Sequence, residues 1–167
     1  KLERKFHSNL KFYSVSRSTP PINFLKNISI ENKINFIHKN LDIDKIYSLN
    51  RILKVASHVI MLAPTKPYHD TKEIELDFDL RAKNLSMAVK RKTKKPKGIY
   101  ISTTGVYGNA NGELIDETYT CKPRNKRSTR RLKAEIELRK NLNFHILRVP
   151  GIYAHDRLPI DRIKSSR

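Results

Sequence analysis

Short strand-like runs alternate with helical stretches along most of this chain, and that alternation restricts the fold more than any other feature. Lys11 to Ser16 has the aromatic and β-branched bias of a strand, and Arg17-Ser-Thr-Pro-Pro ends it with turn chemistry. A second strand-like run, Lys33 to His38, leads through Asn40-Leu-Asp into a helical stretch from Asp42 to Lys54. Ile43, Ile46, Leu49, Ile52 and Leu53 are its apolar residues, and the acid at Asp42 suits a helix start. His58 to Leu62 is an apolar run closed by Ala63-Pro64, the pattern of a strand buried on both faces. Thr71 to about Lys92 reads as one long helix with Ile74, Phe78, Leu85 and Val89 facing inward. Gly98 to Thr103 is another strand, Arg124 to Leu142 another helix, and Asn143 to Val149 a last strand stopped by Pro150-Gly151. Such an order predicts βαβ units, hence the α/β class with a doubly wound, mainly parallel sheet.

Length and composition suit one core. At 167 residues and 38% apolar content the chain reads as a single domain over 1–167. The one cysteine, Cys121, has no internal disulfide partner, so a reducing cytoplasm is expected. The longest apolar run, Val59 to Pro64, is far short of the roughly 20 residues of a membrane-spanning helix, so no membrane is expected. His7, His38, His58, His69, His145 and His155 form no short metal-ligand spacing, and no metal is expected. Residue 1 is lysine, so the chain is expected either to have lost an N-terminal piece or to be a segment of something longer.

Thirty-five basic against sixteen acidic residues leave a formal charge of +19, a field that attracts nucleic acid, acidic membranes or phosphorylated ligands without choosing among them. The charge concentrates between Lys90 and Lys97 and between Lys122 and Lys133. Neither run interleaves aromatics as single-strand binders do, and the topology places them at opposite ends of the sheet, so one phosphate-tracking groove is disfavoured. Lysine scattered over solvated faces is the plain alternative.

The most informative stretch is Ile99-Tyr-Ile-Ser-Thr-Thr-Gly-Val-Tyr-Gly108, a strand ending in hydroxyls and a glycine turn, where open α/β sheets bind ligands. With Asp116-Glu117 after it and Leu147-Arg-Val-Pro-Gly-Ile-Tyr153 and Arg157 further on, it resembles extended and atypical short-chain dehydrogenases/reductases, the NAD(P)-dependent epimerase/dehydratase group. The likeness runs from about Lys11 to Arg157. It implies a Rossmann-like fold and puts Thr103 against a substrate oxygen, with Ser102 on the cofactor and Thr104, Tyr107, Tyr153 and Arg157 toward substrate. It also implies cofactor contacts at Asp42, Ala63, Pro64 and Pro150. Hydroxyls at such corners equally serve as turn caps.

The family's proton-transfer tyrosine and its lysine one turn later correspond here to Arg127 and Arg131. Arginine stays protonated near neutral pH and cannot be the general acid/base. Two guanidiniums on one helix face could clamp an anionic small molecule, or simply form a solvated basic face on which Glu135 and Arg139 pair weakly. Arg17, just after the first strand, favours NADP over NAD, since arginine there suits a 2'-phosphate. The five glycines, Gly98, Gly105, Gly108, Gly112 and Gly151, all lie too late in the chain for a Gly-x-Gly-x-x-Gly turn. The resemblance thus implies a chain without the first strand and glycine-rich turn, and with most of the substrate lobe absent after about 157. Without that turn the cofactor's pyrophosphate loses its backbone amides. Two readings follow: an NAD(P)-dependent oxidoreductase or sugar-nucleotide epimerase relative with impaired catalysis, or a non-catalytic dinucleotide-binding module. An unpaired strand edge would also leave the chain open to self-association.

Overall fold

A computed structural model describes residues 11–20, 23, 35–69, 75–152 and 160. Strands β1 (Lys11–Ser16) and β2 (Asn35–Asn40) pair in parallel, from Lys11 opposite Asn35 to Ser16 opposite Asn40. Helix α1 (Ile46–Leu53) follows, then β3 (His58–Met61) and an antiparallel pair, β4 (Pro67–His69) with β5 (Glu75–Asp79). Helix α2 (Leu80–Lys90) leads to β6 (Lys97–Thr103), a single 3-10 turn (Thr104–Tyr107), helix α3 (Lys126–Leu142) and β7 (His145–Val149). Strands β3, β6 and β7 form a parallel sheet in the order β3-β6-β7. Parallel strands need crossovers, and α2 and α3 supply them. The expected α/β class with a mainly parallel sheet is what the chain adopts.

Helices α1, α2 and α3 pack on one face of the three-stranded sheet. Leu49, Leu53, Leu85, Val89 and Leu138 from the helices meet Met61 and Tyr100 from the strands. Each such aliphatic side chain contributes about 1.5–3 kcal/mol by leaving water. Gly98 lies under the Phe144 ring, leaving no room there for a Cβ. The helix ends explain the boundaries. Asn125 accepts the Ser128 amide at 2.8 Å to start α3, and Asn143, in the left-handed region at φ 55, ends it.

Several expectations are corrected. The long helix from Thr71 is shorter: β5 occupies Glu75–Asp79, and α2 begins only at Leu80, where the Asp79 carboxylate caps the Arg81 amide. Phe78 therefore sits on a strand and is exposed, whereas Leu85 and Val89 are buried as anticipated; Ile74 lies outside the described residues. The first helix starts at Ile46, because Asp42 Oδ1 accepts the Asp44 amide at 3.0 Å in a preceding turn. The second strand runs two residues past the end its sequence pattern suggested, to Asn40, while Lys33 and Ile34 lie outside the described residues. Strand β3 is covered on one face only, with Ile60 exposed, so its apolar run does not mean burial on both faces among the described residues.

Candidate functional site

The C-terminal ends of β3, β6 and β7 converge, and in open parallel sheets that end carries the ligand site. Ala63-Pro64 leaves β3, Thr103-Thr104 leaves β6, and Pro150 leaves β7. Three side-chain networks fix this edge.

The first is centred on Arg131. Its Nη1 donates to the Tyr100 hydroxyl at 2.8 Å, to the Ala63 carbonyl at 3.3 Å and to the Ile101 carbonyl at 3.4 Å. The guanidinium also lies 5.5 Å from the Tyr100 ring centroid. It thereby ties the end of β3 to the end of β6. Burial pushes the Tyr100 phenol up to about 12, against the downward pull of Arg131.

A second network surrounds Glu135, a fully buried residue of α3. Arg148 of β7 donates Nη2 to Glu135 Oε2 at 2.8 Å and Nε to the same oxygen at 3.2 Å, while Ser102 donates to Oε1 at 2.5 Å. The Arg148 guanidinium stacks 4.7 Å from the Tyr107 ring centroid, and Tyr107 meets Tyr119 edge-on with centroids 6.2 Å apart. Glu135 holds the Arg148 guanidinium above its ordinary value. The anticipated Glu135–Arg139 surface pair is replaced by this buried one.

The third pins the loop after β3. Arg81 donates Nε to Asp44 Oδ1 at 2.6 Å and Nη1 to the Pro64 carbonyl at 2.8 Å, while Lys66 Nζ donates to Asp44 Oδ2 at 2.8 Å. Asn84 donates to the Asp44 carbonyl at 2.8 Å, and Asp79 Oδ1 accepts the Lys66 amide at 3.0 Å. Burial raises the Asp44 carboxyl, but the hydrogen bonds and charges of Arg81 and Lys66 outweigh it and the net shift is downward. At Asp79 burial prevails and the carboxyl is raised; its Oδ2 has no hydrogen-bond partner among the described residues.

The expected site residues divide between these networks and the surface. Ser102 is buried against Glu135, and Thr103 Oγ1 accepts the Gly105 amide at 3.2 Å, capping the 3-10 turn. Thr104 is exposed and, with Tyr107, Asp116, Glu117, Arg139 and Arg148, lines a cleft of ≈ 380 Å³. Arg131 turns inward, whereas Arg127 is exposed in the first turn of α3, so the two guanidiniums do not converge. Arg17 is exposed just past β1, and Pro150 is exposed past β7. Tyr153 and Arg157 lie outside the described residues. Asp44, Asp79 and Arg81 carry much of the geometry but were not anticipated, while Glu135 was read only as a surface partner of Arg139 and Arg148 only as part of the Leu147 to Tyr153 motif. The available signal was one arginine within the apolar run Ile146-Leu147-Arg148-Val149.

The glycines and helix starts bear on phosphate binding. A Cβ at Gly108, where φ is 79°, would strike the Lys122 carbonyl, and Gly98 serves packing. The α2 start is occupied by the Asp79 carboxylate and the α3 start by Asn125. No described helix start combines a glycine turn with free amides for a pyrophosphate. Among the described residues no group of three or more potential metal ligands occurs, and no helix is long and apolar enough to cross a membrane.

No protein-family model and no curated protein matches this sequence. Solved structures do match its fold. UDP-glucuronic acid 4-epimerase from Bacillus cereus in complex with NAD superposes with a TM-score of 0.65 at 22% identity, over 92% of this chain and 52% of that one. dTDP-glucose 4,6-dehydratase from Bacillus anthracis in complex with NAD gives 0.66 at 17% identity, over 92% and 50%. UDP-glucose 4-epimerase from Thermus thermophilus in complex with NAD gives 0.62 at 15% identity, over 90% and 58%. This chain spans about half the length of the solved structures it matches. The fold is therefore the Rossmann-like α/β fold of NAD-dependent epimerases and dehydratases.

Proposed function

We propose that this chain is a nicotinamide-dinucleotide-binding α/β unit that performs no proton transfer at the site where its structural neighbours act on sugar nucleotides. The observation that carries the reading is the engagement of Arg131 by the Ala63 carbonyl, the Tyr100 hydroxyl and the Ile101 carbonyl. A guanidinium held in this way is a structural tie, and neither it nor Arg127 can exchange a proton near neutral pH. Thr103 caps its turn through the same oxygen that would meet a substrate.

When bound, the dinucleotide would supply hydride chemistry. Ala63, Pro64 and Pro150 would border it, and Arg17 would face a 2'-phosphate, which favours NADP. Among the described residues no helix start offers free amides on a glycine turn to its pyrophosphate. Cys121, half-buried with its thiol raised by burial, suits a reducing cytoplasm.

Titration of NADPH and NADH, followed by nicotinamide fluorescence and by thermal unfolding, tests the reading. The expected result is saturable binding that favours NADPH, with the preference lost in Arg17→Ala. No oxidation or epimerisation of a sugar nucleotide should accompany it. Absence of binding by the folded chain overturns the cofactor assignment, and steady turnover overturns the rest.

A further inference from the structure

Positive charge gathers at the strand-entry end of the β3-β6-β7 sheet, opposite the candidate site. The three strands are parallel and each begins there, so α1, α2 and α3, which lead into β3, β6 and β7, end there too. The connections they open, Arg51 to His58, Lys90 to Lys97 and Arg139 to His145, contain no Asp or Glu. Pairing of His58 with Lys97 and of Ile99 with His145 sets the three side by side. Lys92 Nζ ties the second to the first by donating to the Leu53 carbonyl. Lys54, Lys90, Lys94, Lys95, Lys97 and Lys140 are exposed, and among the described residues none of them meets a carboxylate. Helix C-termini favour cations, which accounts for Lys54, Lys90 and Lys140. Lys94, Lys95 and Lys97 lie past the Arg91 cap of α2, where that field has fallen away, so their mutual repulsion is uncompensated. The other end of the sheet differs, because Asp44, Asp79, Asp116 and Glu117 stand among its cations.

Charge and shape select the occupant. The helices meet this end with their termini, so no apolar helix face lies along it as binding to a membrane surface requires. Phe144 is the one Phe, Tyr or Trp of the three connections and is buried, so no such ring is offered to an unstacked base. Helices α1, α2 and α3 pack in series with axes about 8–10 Å apart, which makes the charged end about 20 Å across. A duplex carries one charge about every 1.7 Å of its axis and presents several phosphates over that span. We propose that this end binds duplex nucleic acid through its phosphates, without reading its sequence, with Lys94, Lys95 and Lys97 as its central contacts. The run from Lys122 to Lys133 lies at the other end and takes no part, so no single groove joining the two runs is needed. This inference is independent of dinucleotide binding.

The probe is a fluorescein-labelled DNA duplex of arbitrary sequence and about 20 base pairs, followed by anisotropy on the full chain through a salt series. Binding should saturate at low salt, and the logarithm of the binding constant should fall linearly with that of the salt concentration, by about 0.9 per phosphate contacted. Lys94→Gln combined with Lys95→Gln should lower this slope by about two and weaken binding by about tenfold or more, equally for any duplex sequence. Both side chains are exposed in a loop, so thermal unfolding should barely move. Lys122→Gln combined with Arg124→Gln removes the same charge at the opposite end and should leave the slope unchanged. Equal losses from the two pairs would assign the binding to net charge and overturn the proposal. Tighter binding of a single strand of the same length would do so too, because stacking would then carry the contact. Displacement of the duplex by poly-glutamate, or by vesicles of phosphatidylserine and phosphatidylcholine in equal parts, at matched charge would point to a different class of partner and also overturn it. Absence of saturable binding at low salt ends it outright.

Discussion

Glu135 and Arg148 face each other from α3 and β7, with Oε2 and Nη2 2.8 Å apart and the carboxylate only 2% exposed on its side chain. The pair joins the last strand of the sheet to the helix that crosses back to it. Burying two charges costs as much as their attraction returns, so the pair adds little net stability, but losing one partner strands the other. Glu135→Ala should lower unfolding stability by about 3–5 kcal/mol. Combining it with Arg148→Met should recover much of that loss. Denaturant unfolding of both single variants and the double variant gives the coupling directly, and strict additivity would show that the pair is not the cause.

Gly98 and Phe144 make a steric prediction of a different kind. A methyl group at 98 would overlap the Phe144 ring, so Gly98→Ala overpacks the junction of β6 with the α3–β7 connection. Such overpacking typically costs about 1–3 kcal/mol. Phe144→Leu alone leaves a small void, but in the Gly98→Ala background it should relieve the clash. The double variant should therefore be more stable than the sum of the two single effects predicts, as measured by thermal unfolding.

The two carboxylates flanking Arg81 should give opposite pH dependences. Asp44 is held below its ordinary value in the fold, so its contribution is present above the unfolded carboxylate range and is lost as pH falls through the folded value. Asp79 is raised, so its contribution is present below that range and is lost as pH rises through its own folded value. Asp44→Asn should flatten the acid side of the stability profile, and Asp79→Asn the side above it. Chemical unfolding across the acid range separates them, and a shared slope change in both variants would contradict the assignment.

Much of the architecture was legible because apolar runs and helix caps are local. Gly98 to Thr103 and Arg124 to Leu142 came within two residues of the observed β6 and α3. The helix expected from Thr71 failed because Glu75–Asp79 carries helix-like periodicity, while its strand state depends on pairing with Pro67–His69. Burial on both faces at β3 failed for a related reason: an apolar run reports what a strand can bury, not what covers it. At the candidate site the hydroxyl motif was visible, but its use was not. Ser102 and Thr103 serve Glu135 and Gly105, partners whose placement depends on tertiary contact and on the local turn. The weak Glu135–Arg139 pair, drawn from helical spacing, lost to Arg148 of β7.

Tyr100 and Arg131 yield the prediction most relevant to catalysis. The phenol is fully buried and accepts from Arg131 Nη1 at 2.8 Å. Burial raises its pKa from 10.0 to about 12 and outweighs the opposing charge of Arg131. The resulting stability is fully present below the unfolded value and is lost as pH rises through the folded one, because the unfolded phenol ionises first. Tyr100→Phe should remove this alkaline dependence while costing about 1 kcal/mol near neutral pH, as Arg131 loses one acceptor. Phenolate absorbance and unfolding, followed together through the alkaline range, measure both effects. Ionisation of Tyr100 in the folded protein at the pH of an exposed tyrosine would sink the prediction. A phenol that stays protonated throughout the neutral range, with its oxygen fixed on a guanidinium, exchanges no proton there, so the same titration bears on whether Tyr100 can act as an acid/base centre near the exit of β6.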